Sequence, residues 1–167
     1  MVFRVASGIG GNGSFVAGGY GTFVSTANQT NPVANTANAL LLDTQIDGVS
    51  GVTNTNGLLT FTTAGVWQII FELAVTSTVG ANPTISQWLV KNGSNVANTA
   101  QDFQLLGGAN TVQMTTCVFM FNMAVNDTAQ VYWSSSDTRV SLAYQGALST
   151  PTRPASPSAI VFVNRVG

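Results

Sequence analysis

One stretch of the sequence decides the fold: Gly65-Val66-Trp67-Gln68-Ile69-Ile70-Phe71-Glu72-Leu73-Ala74-Val75-Thr76. At a period of two residues, one face carries only large apolar side chains, those of Trp67, Ile69, Phe71, Leu73 and Val75. The opposite face is mixed and suits either solvent or a partner. Because β-branched and aromatic residues favour a pleated surface on which side chains alternate, the stretch predicts a long strand with one buried face. A helix is the weaker alternative, since Ala64-Gly65 predicts a turn and no capping box is present.

The composition predicts one domain with an almost uncharged surface. Of the 167 residues, 45% are hydrophobic, which is enough for a sizeable core. Only 7% are charged and the formal net charge is −1, whereas charged residues usually make up about 25% of a globular protein. A soluble monomer relies on surface charge for colloidal stability. We therefore expect that an assembly covers much of this surface.

The same composition argues against nucleic-acid and membrane partners. The five basic residues are scattered along the sequence, whereas a phosphate backbone requires a clustered basic patch. No apolar run approaches the ~20 residues that span a bilayer, and the N-terminus lacks the apolar core of a secretory signal. We therefore expect the protein to act where it is made or to be carried as part of a particle.

The sequence predicts no catalytic, metal or cofactor site. It contains no His, which excludes Ser-His-Asp and Cys-His catalysis and His-based metal centres. A glycosidase pair or a Ca²⁺ site would need some of the six acidic residues to meet in the fold. Loop aspartates more often bind the backbone of their own turn. Cys117, the single cysteine, lies in a strand pattern, which predicts a buried and unreactive thiol.

Residues 1–19 are predicted to be a flexible, glycine-rich arm that precedes a domain over residues 20–167. Gly8, Gly10 and Gly13 match the spacing Gly-x-Gly-x-x-Gly. A dinucleotide site would need this motif between a strand and a helix, and neither is predicted here. An arm of this kind suits contact with a neighbouring subunit, on which it would become ordered.

Strand patterns recur from Tyr20 onward, separated by turn signals and without a helical pattern. The predicted strands cover residues 21–26, 39–44, 58–62, 66–76, 84–91, 94–97, 111–122, 129–133, 140–144 and 159–166. Residues 45–56 are predicted to form a loop, and residues 58–62 and 66–76 to pair as a hairpin. Asn56-Gly57 and Asn92-Gly93 predict tight turns, because both central positions of a type I′ turn need positive φ. The last strand is almost continuously apolar, so we expect both of its faces to be covered. The pattern is typical of an antiparallel sandwich or jelly roll.

Several blocks follow one another in the order of a known family. They are Asn38-Ala39-Leu40-Leu41-Leu42-Asp43-Thr44, Gly57-Leu58-Leu59-Thr60-Phe61-Thr62-Thr63-Ala64-Gly65-Val66-Trp67, Lys91-Asn92-Gly93, Val125-Asn126-Asp127-Thr128-Ala129-Gln130-Val131 and Pro157-Ser158-Ala159-Ile160-Val161-Phe162. On these blocks residues 20–167 resemble the C1q/TNF-like jelly-roll domain family, as found in phage structural proteins. In the fourth block, Asn126 replaces a Gly and Ala129 a Val of the family pattern. The resemblance implies an all-β fold, an antiparallel β-sandwich with ten strands, that assembles as a homotrimer.

The resemblance also implies where three copies would meet. The family trimer buries aromatic and aliphatic residues along its threefold axis, and the long strand 111–122 is expected to contribute. The candidate interface residues are Phe119, Phe121 and Tyr144. The alternative is that these side chains fill the core of the sandwich, since large aromatic residues favour cores and interfaces alike.

Two functions from different classes remain, beside a more distant third, a spore-surface layer protein of similar fold, which would usually carry a collagen-like stretch. The first is a non-enzymatic virion structural protein: a homotrimeric capsid decoration or cement protein on the particle surface, with the major capsid protein or another virion component as partner. The second is the receptor- or glycan-binding head of a tail fibre or spike, or another C1q-like surface recognition domain. In that role Trp88, Tyr132 and Trp133 would be exposed aromatic platforms. Since a fibre head normally follows a fibrous stalk and none is present in the sequence, the capsid role is favoured.

Overall fold

The computed structural model describes residues 18–167, which form antiparallel β-sheets. In chain order the strands are β1 (Tyr20–Ser25), β2 (Gln29–Thr30), β3 (Asn38–Ala39), β4 (Thr44–Ser50), β5 (Val52–Thr55), β6 (Leu58–Phe61), β7 (Gly65–Ser77), β8 (Thr84–Lys91), β9 (Ser94–Asn95), β10 (Gln101–Gln104), β11 (Val112–Met123), β12 (Thr128–Ser135), β13 (Val140–Leu142), β14 (Leu148–Ser149), β15 (Thr152–Arg153) and β16 (Ala159–Arg165). Within this range no helix is long and apolar enough to cross a bilayer.

Two sheets, each with five principal strands, face each other. The first sheet has the order β11-β7-β16-β1-β4, with β13 and β2 continuing beside the far end of β7. The second has the order β10-β8-β12-β6-β5, with the short strands β3 and β9 at its margins. Every pairing is antiparallel within the described residues. The predicted all-β antiparallel sandwich is therefore confirmed.

The predicted buried face of β7 lies at the centre of the core. Trp67, Ile69, Phe71, Leu73 and Val75 are all completely inaccessible to solvent. They belong to one apolar cluster with inward-facing residues of the second sheet, among them those of β8 and β12. Burying a large apolar side chain completely contributes about 1.5–3 kcal/mol, so this one strand supplies a large part of the stability of the sandwich.

The predicted hairpin between residues 58–62 and 66–76 is wrong. Strand β6 pairs with β5 and β12 in the second sheet, whereas β7 pairs within the first. The connection between them carries the chain from one sheet to the other. Phe61 and Trp67, which flank it, meet across the core with their rings edge to face, 4.8 Å between centroids. The alternation of apolar residues predicts both strands correctly. The strands lie in different sheets, however, and their apolar faces pack against the same core from opposite sides.

Residues 45–56 contain two strands where a loop was predicted. Most side chains of β4 are exposed, and the strand lies at the edge of the first sheet. Strand β5 lies at the edge of the second sheet and joins β6 through Asn56-Gly57, whose φ angles of 50° and 94° fit the predicted tight turn. The Asn92-Gly93 turn between β8 and β9 is likewise confirmed, with φ angles of 49° and 76°. Edge strands with few buried side chains lack the apolar alternation from which strands are predicted.

The predicted N-terminal arm falls almost entirely outside the described residues. Residues 1–17, with the Gly8, Gly10 and Gly13 motif, are not described. Gly19 belongs to the folded domain, because the backbone N–H of Arg165 donates to its carbonyl oxygen at 2.7 Å. The ring of Trp67 also covers Gly19 so closely that a Cβ atom there would collide with it. The folded part thus begins at least one residue before the predicted boundary.

Candidate functional site

Strand β11 lies at the edge of the first sheet and has two contrasting faces. Its inward residues, from Cys117 to Met123, contact the core. Its outward residues include Met114, Val118 and Met120, which are 55%, 51% and 64% exposed. Natural edge strands are usually protected by charges, prolines or bulges. Three long apolar side chains on the solvent side of such a strand indicate a surface that a partner covers.

This apolar surface continues across the first sheet. The strand registers set Val118 beside Ile70 and Ile70 beside Phe162. Phe162 is paired in turn with Thr22 on β1, and Thr22 with Ile46 on β4. Residues that are paired across neighbouring antiparallel strands project from the same side of the sheet. We call the resulting surface the apolar face and define it by these residues: Ile46, Val66, Ile70, Met114, Val118, Met120 and Phe162.

The three residues predicted at a trimer interface occupy two different places. Phe119 and Phe121 are half-buried on the inward side of β11, where Phe119 stacks on Phe71 with 6.2 Å between ring centroids. Tyr144 lies next to the apolar face, where it lines a cavity of about 230 Å³ together with Val24 and Ile46. The two phenylalanines therefore pack against the core, as in the alternative drawn from the sequence. A contact between copies at any of the three remains a prediction.

The sequence does not single out Met114, Val118 and Met120 as interface residues, because the large aromatic residues of the same strand are the stronger candidates. The signal was present in the alternation of residues 112–123, in which the outward positions include three large apolar residues. It was also present in the almost continuously apolar last strand, β16. There the outward residue Phe162 stays partly exposed in the protomer.

A second feature lies on the outer face of the other sheet. Trp88 on β8 is paired directly with Tyr132 on β12. Their rings are stacked, with 6.0 Å between centroids and 30° between planes. The indole N–H of Trp88 donates to Asn95 Oδ1 at 2.9 Å. Both side chains are partly exposed, as an aromatic platform requires.

The prediction that Trp133 is a third exposed aromatic platform is wrong. The Trp133 side chain is completely buried in the core. Successive residues of a strand point to opposite sides, so the exposure of Tyr132 turns Trp133 inward. The alternation Ala129, Val131, Trp133 marks the buried face of β12.

Asp127, Asp137 and Cys117 are engaged by local partners. The pKa of Asp127 is lowered to about 2, chiefly by the hydrogen bond from Lys91 and then by the backbone N–H of Ala124. The pKa of Asp137 is also lowered to about 2, chiefly by the hydrogen bond from Arg139. Burial raises the pKa of the Cys117 thiol to about 11, so it is protonated and weakly nucleophilic at neutral pH. Within residues 18–167 no group of three or more acidic or Cys side chains could hold a metal ion.

Comparisons with known proteins identify the fold. No family model and no curated protein matches the chain. A crystal structure of murine APRIL at pH 8.0 is similar over 89% of this chain and 99% of its own, with a TM-score of 0.54 and 10% identity. The globular domain of a zebrafish complement 1qA protein is similar over 89% of this chain and 97% of its own, with a TM-score of 0.55 and 9% identity. At such identities the likeness shows the fold alone, which is the C1q/TNF-like jelly roll.

Proposed function

We propose that this protein is a non-enzymatic virion structural protein, a homotrimer that decorates the capsid surface and stabilises the shell. The observation that carries the proposal is the apolar face. It exposes apolar side chains on the edge strand β11, and its defining residues lie on four of the five principal strands of the first sheet. A surface of this kind is unfavourable in water and becomes favourable when a partner covers it.

The scarcity of charge supports assembly independently. The chain has five basic and six acidic residues, and within residues 18–167 four of them are paired, Lys91 with Asp127 at 2.9 Å and Arg139 with Asp137 at 2.6 Å. Little charge therefore remains to keep separate copies apart in solution. An oligomer reduces the exposed surface of each copy and with it the need for such repulsion.

A closed ring of three is the arrangement that the resemblance to the C1q/TNF-like family implies. In a closed ring every copy offers the same surfaces and none remains free to recruit further chains. The apolar face lies on one side of the sandwich, which also carries Gln68 and Glu72, and a threefold axis beside β11 would bury it in all three copies. Tyr144, beside the same face, would then lie within reach of the contact.

The capsid role rests on the surface composition and on the glycine-rich residues 1–19. A nearly neutral surface rich in Asn, Thr and Gly suits a protein that functions within a particle. A flexible arm that becomes ordered on a neighbouring subunit would link the trimer to the major capsid protein or another virion component. No catalytic role is part of this proposal, since three of the six acidic residues, Asp43, Asp127 and Asp137, are engaged by turns and ion pairs.

Light scattering on the full chain and on a chain without residues 1–17 tests the assembly. We expect trimers in both cases, with about 52 kDa for the full chain (3 × 17.3 kDa). Co-sedimentation with capsids that lack the protein then tests its role, and only the trimer with its arm should bind. A full-length monomer would overturn the homotrimer, and a full-length trimer that ignores the capsids would overturn the decoration role.

A further inference from the structure

We propose that the outer face of the second sheet carries a binding site for a neutral carbohydrate, formed by Trp88, Tyr132 and Asp102. This site is separate from the apolar face and goes beyond the assembly proposed above. Sugar rings present apolar C–H groups on their faces and hydroxyl groups around their edges. A matching site needs an aromatic surface with a few polar groups beside it.

The aromatic surface is the stacked pair of Trp88 and Tyr132. Both rings lie on the outside of the sheet and are partly exposed. The hydrogen bond from the indole of Trp88 to Asn95 holds the larger ring in place. Such a fixed ring loses little conformational freedom when a ligand stacks on it, which favours binding.

The polar groups lie in a cleft beside Trp88. The cleft has a volume of about 400 Å³ and is lined by Trp88, by the polar residues Ser86, Asn95, Asn98, Asp102 and Ser134, and by the apolar residues Val96, Ala97 and Ala100. The registers set Asp102 opposite Ser86, and Ser86 opposite Ser134. This polar row is two residues along β8 from the row of Trp88 and Tyr132, on the same face of the sheet. A ring stacked on Trp88 would therefore have its hydroxyl groups beside one carboxylate and two side-chain hydroxyls.

The polar row has no other structural role in the described part of the chain. Asp43, Asp127 and Asp137 each accept hydrogen bonds from their own turn or from a nearby strand. Within residues 18–167 the side chains of Asp102, Ser86 and Ser134 form no hydrogen bond inside the protomer. An ionised carboxylate only accepts hydrogen bonds, whereas hydroxyl groups both donate and accept them. The row is thus complementary to the hydroxyl groups of a sugar.

The charge of the cleft selects a neutral ligand. Its lining contains the carboxylate of Asp102 and no Lys or Arg, so a sialic acid, uronic acid or sulfated sugar would be repelled. The site also stays open in the proposed trimer. Strands β8 and β12 belong to the second sheet, whose outer face points away from the apolar face of the first.

Tryptophan fluorescence provides a direct test, because Trp67 and Trp133 are fully buried and Trp88 is the partly exposed one of the three. Acrylamide should therefore quench mainly Trp88. The probes are glucose, galactose, mannose, N-acetylglucosamine and N-acetylgalactosamine, each added to the full chain up to about 50 mM, which covers the millimolar affinities of small ligands. We expect at least one of them to protect Trp88 from acrylamide, and N-acetylneuraminic acid to give no protection.

Two variants separate binding from folding. Asp102→Asn, on the exposed surface, should weaken sugar binding about tenfold, since a charged acceptor is replaced by a neutral amide oxygen, which forms a weaker hydrogen bond. Gln130→Ala, on the same strand and face as Tyr132, should bind as the original does. Absence of protection by every neutral sugar would overturn the proposal, and so would unchanged binding by Asp102→Asn. A trimer that binds no sugar would leave the proposed assembly intact, so the two proposals fail separately.

Discussion

Replacing Met120 by Asp should dissociate the homotrimer and leave each protomer folded. Met120 lies at the outer side of the edge strand β11 and is 64% exposed. It belongs to the apolar face, so in the proposed trimer its side chain is covered by a second copy. In the separate protomer a polar residue at this exposed position disturbs no core contact.

The size of the effect follows from the exposed fraction of Met120. Complete burial of a Met side chain is worth about 1.5–3 kcal/mol. Covering the 64% that the protomer leaves exposed would thus contribute about 1–2 kcal/mol per copy. The substituted carboxylate would in addition have to be dehydrated, at several kcal/mol per copy. Over three copies the trimer loses on the order of 10 kcal/mol or more.

The measurement is the mass in solution, with circular dichroism as a check on folding. We expect the original chain near 52 kDa (3 × 17.3 kDa) and Met120→Asp at 17.3 kDa. Met120→Leu should remain a trimer, because it nearly conserves apolar volume. Val33→Asp is the control for position, since Val33 is 57% exposed and lies between β2 and β3, away from the apolar face. It should also remain a trimer. A folded Met120→Asp that keeps the mass of a trimer would refute the role of the apolar face.

Three further predictions concern stability. Asn31→Ala should lower the free energy of unfolding by about 2–4 kcal/mol in urea titrations, because the fully buried Asn31 side chain donates to two backbone carbonyls at and after the end of β12. Gly57→Ala should abolish folding at 37 °C, since φ is +94° and the new Cβ would collide with a backbone carbonyl. At Gly93 φ is +76°, and a new Cβ atom would meet no neighbouring atom. Gly93→Ala should therefore lower the free energy of unfolding by only about 1–2 kcal/mol in urea titrations. The melting temperature should fall as the pH is lowered from about 4 towards 2, because Asp127 has its pKa lowered from 3.8 to about 2 in the folded protein. The bond to Lys91 therefore stabilises the fold above that window and is lost within it, and Asp127→Asn should flatten the decline.

The sequence was informative wherever one face of a strand is buried and the other is not. Strand β7 was predicted almost to its ends, because five large apolar residues alternate there without interruption. Strands β4 and β5 were missed because they lie at sheet edges and bury few side chains. The predicted pairing of β6 with β7 is wrong, and the reason is a different one. The turn signal between β6 and β7 is local, whereas the sheet that each strand joins depends on partners far away in the sequence.

The candidate sites, like the strands, have a part that the sequence predicts and a part that it does not. Trp88 and Tyr132 lie at the surface, as the sequence predicts, but Trp133, which is aromatic and adjacent to Tyr132, is buried. The alternation along β12 already separated the two neighbours, since Ala129 and Val131 share the parity of Trp133. The polar row of the cleft could not be predicted, because Asp102 meets its neighbours only through the register of β10 with β8.

The outer edge of β11 links the stability of this protein to its concentration. In residues 18–167 the strand pairs with β7 alone, so a twelve-residue strand presents its other row of backbone donors and acceptors to whatever chain comes near. An isolated protomer with such an edge is a template for aggregation. Association with copies of itself competes with that outcome and stabilises the native state by mass action. The melting temperature should therefore rise with protein concentration.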